Sequence, residues 1–86
     1  MQKHVIVGIH ITDRLTHAVK VQEIFTRFGS LIKTRLGLHE VGTRSSSPNG
    51  VVLLELLDKD AEVKKFVSAM RKIEGVEVKT IVFDHS

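Results

Sequence analysis

The sequence predicts an α+β sandwich in which two helices cover one face of a four-stranded antiparallel sheet. Hydrophobic residues alternate with a period of two in four segments, and they recur at helical spacing in two others. The segments follow the order strand, helix, strand, strand, helix, strand. This is the order of the ferredoxin-like βαββαβ fold. We expect residues 1–86 to form one domain of this kind.

The first predicted strand, over residues 4–11, places Val5, Val7, Ile9 and Ile11 on one face. Thr12 or Asp13 is then expected to cap a helix. The apolar stripe of that helix comprises Leu15, Ala18, Val21, Ile24, Phe25 and Phe28. Gly29 lies where a left-handed residue commonly ends a helix.

The second predicted strand covers residues 32–41. Alternation places Ile32, Thr34, Leu36 and Leu38 on one face and Lys33, Arg35, Gly37 and His39 on the other. Residues 42–50 are rich in Ser, Gly, Asn and Pro, which predicts a flexible hairpin loop. The third strand follows over residues 51–57 and is apolar except for Glu55.

The second helix is predicted to begin with Asp60 as its cap and to end at Gly75. Its stripe comprises Val63, Phe66, Val67, Met70 and Ile73. The last strand covers residues 76–83, and we expect it to bury Val76, Val78 and Val82.

The third strand is apolar on both sides, although the helices can cover only one side of the sheet. The other side, here called the open face, also receives Ile81 and Phe83 by the same alternation. A large apolar surface usually marks an interaction site. We therefore predict a dimer or tetramer, with an interface formed by Ile6, Gly8, Gly37, Val51, Leu53 and Leu57.

Several segments of the sequence resemble known families of regulatory proteins. The segment from Val7 to Arg14, with the helix after it and Gly29, resembles the opening of an ACT domain. More narrowly, the segments 35–37 (Arg-Leu-Gly) and 73–80 resemble the iron-only hydrogenase system regulators, a family regarded as transcriptional regulators. The resemblance covers nearly the whole chain and implies an ACT-like fold, oligomers and a regulatory role.

By this resemblance, a small effector would bind at the first turn and the start of the second strand, at Asp13, Arg14, Thr16, Ile32 and Lys33. Amino-acid-binding ACT domains carry Pro-Gly after Asp-Arg, whereas this chain has Leu15-Thr16. A helix cap and a solvated arginine would explain Asp13 and Arg14 equally well. Lys33 and Arg35 are expected to share a face, where they would line an anion site or pair with Glu55 or Glu77.

A metal-sensing domain is the alternative function. His10, His39 and Glu55 are predicted on the open face, and two imidazoles with a carboxylate can bind a first-row metal. The segment around His39 also resembles the metal-sensing domain of the nickel-responsive repressor, although Val41 stands where a second histidine would be. The simpler interpretation is that these are polar residues on a wet surface. The other three histidines are expected at the surface.

Composition excludes several function classes. The chain has no cysteine, and its formal charge of +3 is spread among acidic residues rather than concentrated in a run. We therefore do not expect specific DNA binding by this chain alone. No catalytic constellation is present, so an enzyme is the least favoured class, behind an interaction module without a ligand. No apolar run suits a membrane span, no signal peptide is seen, and we expect a cytoplasmic protein. The sequence names no cofactor.

Overall fold

The structure is a computed structural model, and it describes residues 3–12, 14–38 and 50–84. Its elements are β1 (Lys3–Ile11), α1 (Arg14–Arg27), a 3-10 turn (Gly29–Leu31), β2 (Ile32–Leu38), β3 (Gly50–Leu56), α2 (Asp60–Arg71) and β4 (Val76–Asp84). The strands pair antiparallel in the order β2-β3-β1-β4. The predicted ferredoxin-like βαββαβ fold is therefore confirmed. Residues 39–49, which include most of the predicted loop, lie outside the described residues.

β1 lies between β3 and β4, and the alternating burial of its side chains shows which face of the sheet is covered. Val7 and Ile9 are completely buried. Val7 pairs with Leu54, and Ile9 pairs with Val78. Directly opposed residues in an antiparallel pair share a face, so these side chains form one apolar layer, here called the covered face.

Both helices pack on the covered face through a cluster of aromatic rings. Phe66 of α2 is fully buried, and its ring stacks against Phe25 of α1 with the centroids 6.4 Å apart. Phe28 meets Phe66 edge-on at 5.4 Å. Both geometries are favourable for aromatic pairs. The cluster joins α1 and α2 over one side of the sheet, so neither of these helices covers the other side.

The apolar stripe predicted for the second helix is confirmed, because all five of its residues belong to the core or pack against it. The predicted cap is wrong. Lys59 is the N-cap residue of α2 and makes no side-chain capping bond, and Asp60 is the first residue of the helix. There its carboxylate lies near the positive end of the helix dipole. It also lies 3.9 Å from Lys3 Nζ.

α1 differs from the prediction in two places. Its stripe is supported by buried Val21 and Phe25, but Ala18 is exposed because the helix turns this residue away from the sheet. Gly29 does not end the helix in a left-handed conformation. α1 ends at Arg27, and Gly29 begins the 3-10 turn without a positive φ. The Asp13 cap lies outside the described residues.

Gly75 connects α2 to β4, as the sequence predicts, and its backbone conformation would be strained for any other residue. Its φ is +82°, in the left-handed region that favours glycine. Its carbonyl accepts a 2.8 Å hydrogen bond from the Thr12 amide. A Cβ at this position would lie 2.8 Å from the His17 ring. The turn therefore ties the end of β1 to the start of β4.

A β-bulge in β2 exchanges the sheet faces on which the side chains from Thr34 onward lie. Ile32 pairs with Leu56 on the covered face, but Thr34 pairs with Glu55 on the open face, and the register shifts between them. The prediction that Ile32 shares a face with Thr34 and Leu36 is wrong, because the bulge inserts Lys33 as an extra residue.

One residue of β4 also departs from the prediction. Val78 is buried, but Val82 is 50% exposed, although it pairs with buried Val5 on the covered face. β4 is an edge strand, so Val82 has a neighbouring strand on one side only. In the part of the chain that the structure describes, neither helix combines the length and the apolar character that a membrane span requires.

Candidate functional site: the open face of the sheet

The pairing register brings apolar side chains from all four strands together on the open face. Leu36 of β2 pairs with Leu53 of β3, Leu53 pairs with Gly8 of β1, and Ile6 pairs with Ile81 of β4. An added Cβ on Gly8 would lie 3.5 Å from Leu53 Cδ2, so the Leu53 side chain lies against this glycine. The open face therefore carries a continuous apolar strip, defined by Ile6, Leu36, Leu53, Ile81 and Phe83.

This apolar strip is much more exposed than the covered face. Leu36, Ile81 and Phe83 are 54%, 55% and 58% exposed. Ile6 and Leu53, on the two central strands, are half-buried by their neighbours. Exposing several large apolar side chains side by side costs free energy in water, and such a patch usually marks an interaction site.

One side of the apolar strip carries a cluster of three charged or titratable groups, and one of them, Glu55, pairs with Ile6. Glu55 Oε2 lies 2.8 Å from His4 Nδ1 and 3.3 Å from Lys33 Nζ. The hydrogen bond with His4 and then that with Lys33 hold the pKa of the Glu55 carboxyl below its ordinary value, and desolvation opposes this shift. The predicted pairing of Lys33 with Glu55 is confirmed.

The other side of the apolar strip carries His10, Glu77 and Lys79, and Lys79 pairs with Gly8. His10 is half-buried and pairs with Val51 and Glu77. Lys79 Nζ lies 3.8 Å from Glu77 Oε2. Each side of the strip is thus flanked by charges of both signs that contact each other.

The structure places four of the six predicted interface residues on the open face: Ile6, Gly8, Val51 and Leu53. The other two are not there. Gly37 pairs with Val52 on the covered face, because the bulge shifts the alternation of β2. Leu57 packs against the core, and its amide donates to the Leu31 carbonyl at 2.9 Å, because β3 ends at Leu56 and the chain turns.

Arg35 also departs from its predicted position. It pairs with Leu54 on the covered face, whereas Lys33 reaches Glu55 on the open face. The Arg35 guanidinium lies 4.6 Å from the centre of the Phe25 ring, a cation–π contact. The expectation that Lys33 and Arg35 share a face is therefore wrong, and the bulge is again the reason.

The structure does not bring the predicted effector residues together within one chain. Arg14 and Thr16 lie in α1, after the end of β1, and their side chains and Asp13 lie outside the described residues. Ile32 pairs through Leu56 with Val5, near the start of β1. The two groups are separated by about six residues of strand, or about 20 Å. A site using both groups would need two copies of the chain.

The predicted metal ligands are also separated. Glu55 pairs with Ile6, four residues before His10, which corresponds to about 13 Å along the strand. His39 lies outside the described residues. Glu55 contacts His4 instead, one of the histidines that were expected only at the surface. Within residues 3–12, 14–38 and 50–84, no three potential ligands are grouped so as to hold a metal ion.

A pocket that was not predicted from the sequence lies at the end of the sheet near Glu55. It has a volume of about 200 Å³ and is lined by Lys3, Lys33, Leu56, Leu57, Asp58 and Lys59. We call it the lysine pocket. The bulge at Lys33 and the turn after β3 bring these residues together, and neither feature is visible as a sequence pattern.

The comparisons with known proteins identify a fold but no family. No protein-family model and no curated protein matches the sequence. An uncharacterised protein from Thermotoga maritima, TM1266, is 21% identical and has a TM-score of 0.82. That alignment covers 98% of this chain and 100% of the other. At this identity the likeness shows the fold alone.

More distant structures show how varied the proteins with this fold are. A nitrogen regulatory PII-like protein from Thiomonas intermedia K12 is 12% identical, with a TM-score of 0.52 and coverage of 98% and 96% of the two chains. A dimeric ferredoxin-like protein of unknown function from Thermobifida fusca is 7% identical, with a TM-score of 0.50 and coverage of 98% and 92%. An oxygenase also has a similar structure. The fold therefore does not by itself decide the function.

Proposed function

We propose that this chain is a small ACT-like regulatory protein that self-associates through the open face and responds to a small effector or to a protein partner. The continuous apolar strip on the open face is the observation that carries the proposal. The resemblance of the sequence to ACT domains and to the hydrogenase system regulators supports the regulatory role. A PII-like regulator and a dimeric protein among the structural neighbours are consistent with it.

The size of the open face suits a second copy of the chain. Four strands about 4.8 Å apart, each about 23–30 Å long, form a surface of about 19 Å by 23–30 Å. This projected area of about 450–550 Å² is comparable with the roughly 800 Å² of accessible surface that each partner buries in a standard interface. Each 100 Å² of apolar surface buried per subunit would contribute roughly 2.5 kcal/mol of gross hydrophobic free energy. Ordering and desolvation costs remove much of this.

The charges around the apolar strip do not oppose such a contact. Glu55 is paired with His4 and Lys33, and Glu77 with Lys79. Each cluster is therefore partly neutralised within its own subunit, and two copies would not bring large fields of one sign together. The apolar strip fits the same strip on a second copy of the chain better than it fits a charged partner such as DNA. We propose no catalytic role.

Native mass spectrometry of protein purified from its natural host tests this proposal. We expect the mass of a dimer or tetramer, with any retained effector visible as added mass. Leu53→Lys should shift the distribution to monomer, because it places a charge in the middle of the apolar strip. Val19→Lys is the control, since Val19 is 68% exposed on α1, away from the open face. A monomeric wild-type protein, or equal effects of both variants, would contradict the proposal.

A further inference from the structure

We propose that the lysine pocket binds a small molecule that carries a phosphate group. This inference rests on the proposed effector-sensing role, since it names the chemical class of the effector. The pocket is separate from the apolar strip, although the two share a neighbour in Glu55.

The lysine pocket collects positive charge from three different elements. Lys3 lies at the start of β1, Lys33 in the bulge of β2, and Lys59 immediately before α2. Asp58 is the acidic residue of the lining, and its Oδ2 already accepts a 3.0 Å hydrogen bond from the Lys3 amide. Three lysines and one aspartate give the lining a formal charge of +2, which becomes available to a ligand when Lys3 and Lys33 leave Asp60 and Glu55, their ion-pair partners outside the lining. A phosphate monoester carries about −1.5 to −2 at neutral pH, which matches this charge.

The lysine side chains can turn toward a bound anion at little cost. Lys3 Nζ is 3.9 Å from Asp60, whose side chain is 72% exposed. Lys33 Nζ is 3.3 Å from Glu55. Among the described residues, Lys59 forms no ion pair with a carboxylate. Exposed ion pairs contribute little to stability, so exchanging them for contacts with a phosphate is a small change.

The shape and size of the lysine pocket narrow the choice of anion. Ammonium groups approaching from three elements suit a tetrahedral phosphate, whose oxygens point in several directions, better than a single planar carboxylate. The volume of about 200 Å³ is smaller than that of most ligand sites, which hold drug-sized molecules. Leu57, which is half-buried, provides an apolar wall for a short organic group attached to the phosphate.

Lys33 connects this pocket to the open face. Its ammonium group contacts Glu55, which pairs with Ile6 and so lies beside the apolar strip. A phosphate that draws Lys33 into the pocket would remove one of the two hydrogen bonds that stabilise the Glu55 carboxylate. Occupancy of the pocket would then leave the Glu55 carboxylate less neutralised by its own subunit at the edge of the interface. A ligand with different affinities for monomer and oligomer shifts the equilibrium between them.

Amide NMR shifts, recorded while inorganic phosphate replaces chloride at constant ionic strength, test this site. We expect saturable shifts centred on Lys3, Lys33, Leu57 and Lys59, complete by about 10 mM if the Kd is near 1 mM. Lys59→Gln should weaken binding about tenfold, because it removes one charge-assisted hydrogen bond. Lys64→Gln is the matched control, since Lys64 is exposed on α2 outside the lysine pocket and its loss changes the net charge equally.

Three results would overturn the phosphate site: no saturable shifts, equal weakening by Lys59→Gln and Lys64→Gln, or succinate binding as tightly as phosphate. Sedimentation of the same samples separates this failure from that of the proposed function. If the protein assembles but does not bind phosphate, the site is wrong and the assembly stands. If phosphate binds with the expected dependence on Lys59 but the protein neither assembles nor changes its assembly, the site stands and the proposed regulatory role fails.

Discussion

Placing a charge at Ile81 should weaken self-association, whereas the same change at the next residue should not. Ile81 is 55% exposed on the open face, so a partner can still bury about half of its side chain. Burying a whole isoleucine contributes about 1.5–3 kcal/mol, which leaves about 1–1.5 kcal/mol for this half. Two copies per dimer make this about 2–3 kcal/mol. Ile81→Lys should therefore raise the dimer Kd by about 30- to 150-fold.

Val82→Lys is the matched control for this prediction. Val82 is adjacent in β4 and 50% exposed, but it lies on the covered face opposite Val5. Sedimentation velocity over a dilution series gives the Kd of each variant, and circular dichroism reports whether each remains folded. We expect the Kd of Val82→Lys to stay within about twofold of wild type. Equal weakening by the two variants, or none by Ile81→Lys, would refute the assignment of the interface to the open face.

Three further changes test the fold and the charge cluster. Gly75→Ala should cost about 1–2 kcal/mol of unfolding free energy from its left-handed φ, plus a clash with His17. In a His17→Ala background, urea unfolding should show that the free energy lost through the clash is regained, whereas the backbone cost remains. An unchanged unfolding free energy for Gly75→Ala would contradict this account. The unfolding free energy of the wild type should fall as the pH drops below 4.5, because Glu55 has a lowered pKa in the folded state and its protonation removes a stabilised carboxylate. Glu55→Gln should show a smaller fall, and an identical pH dependence of the two proteins would refute this role of Glu55. Arg35→Gln should cost about 0.5–1 kcal/mol from the lost contact with Phe25, and no change in the urea midpoint would refute that contribution.

The fold could be predicted because its main signals are local. The alternation of β1 and the stripe of α2 each bury one face, and both patterns hold in the structure. Gly75 is the residue that a left-handed turn requires, and its φ agrees. In these segments hydrophobic periodicity and turn chemistry indicate the same structure, so the sequence is sufficient.

The details of the site could not be predicted, because they depend on strand register. Nothing in the residues around Lys33 marks the bulge, yet it moves Gly37 to the covered face and separates Arg35 from Lys33. Leu57 continues the alternation of β3 but follows the turn into the core. The contact of His4 with Glu55 is diagonal between two strands, so it appears only once the register of β1 against β3 is known.

Sedimentation equilibrium of the wild-type protein between about 1 and about 100 µM tests the central claim most directly. Over this range a dimer Kd near 10 µM, or about 7 kcal/mol of association free energy, would be well determined. The apolar strip of Ile6, Leu36, Leu53, Ile81 and Phe83 predicts that the measured mass rises with concentration to that of a dimer or tetramer. A constant monomer mass up to about 100 µM would show that the open face does not bind a second copy of the chain.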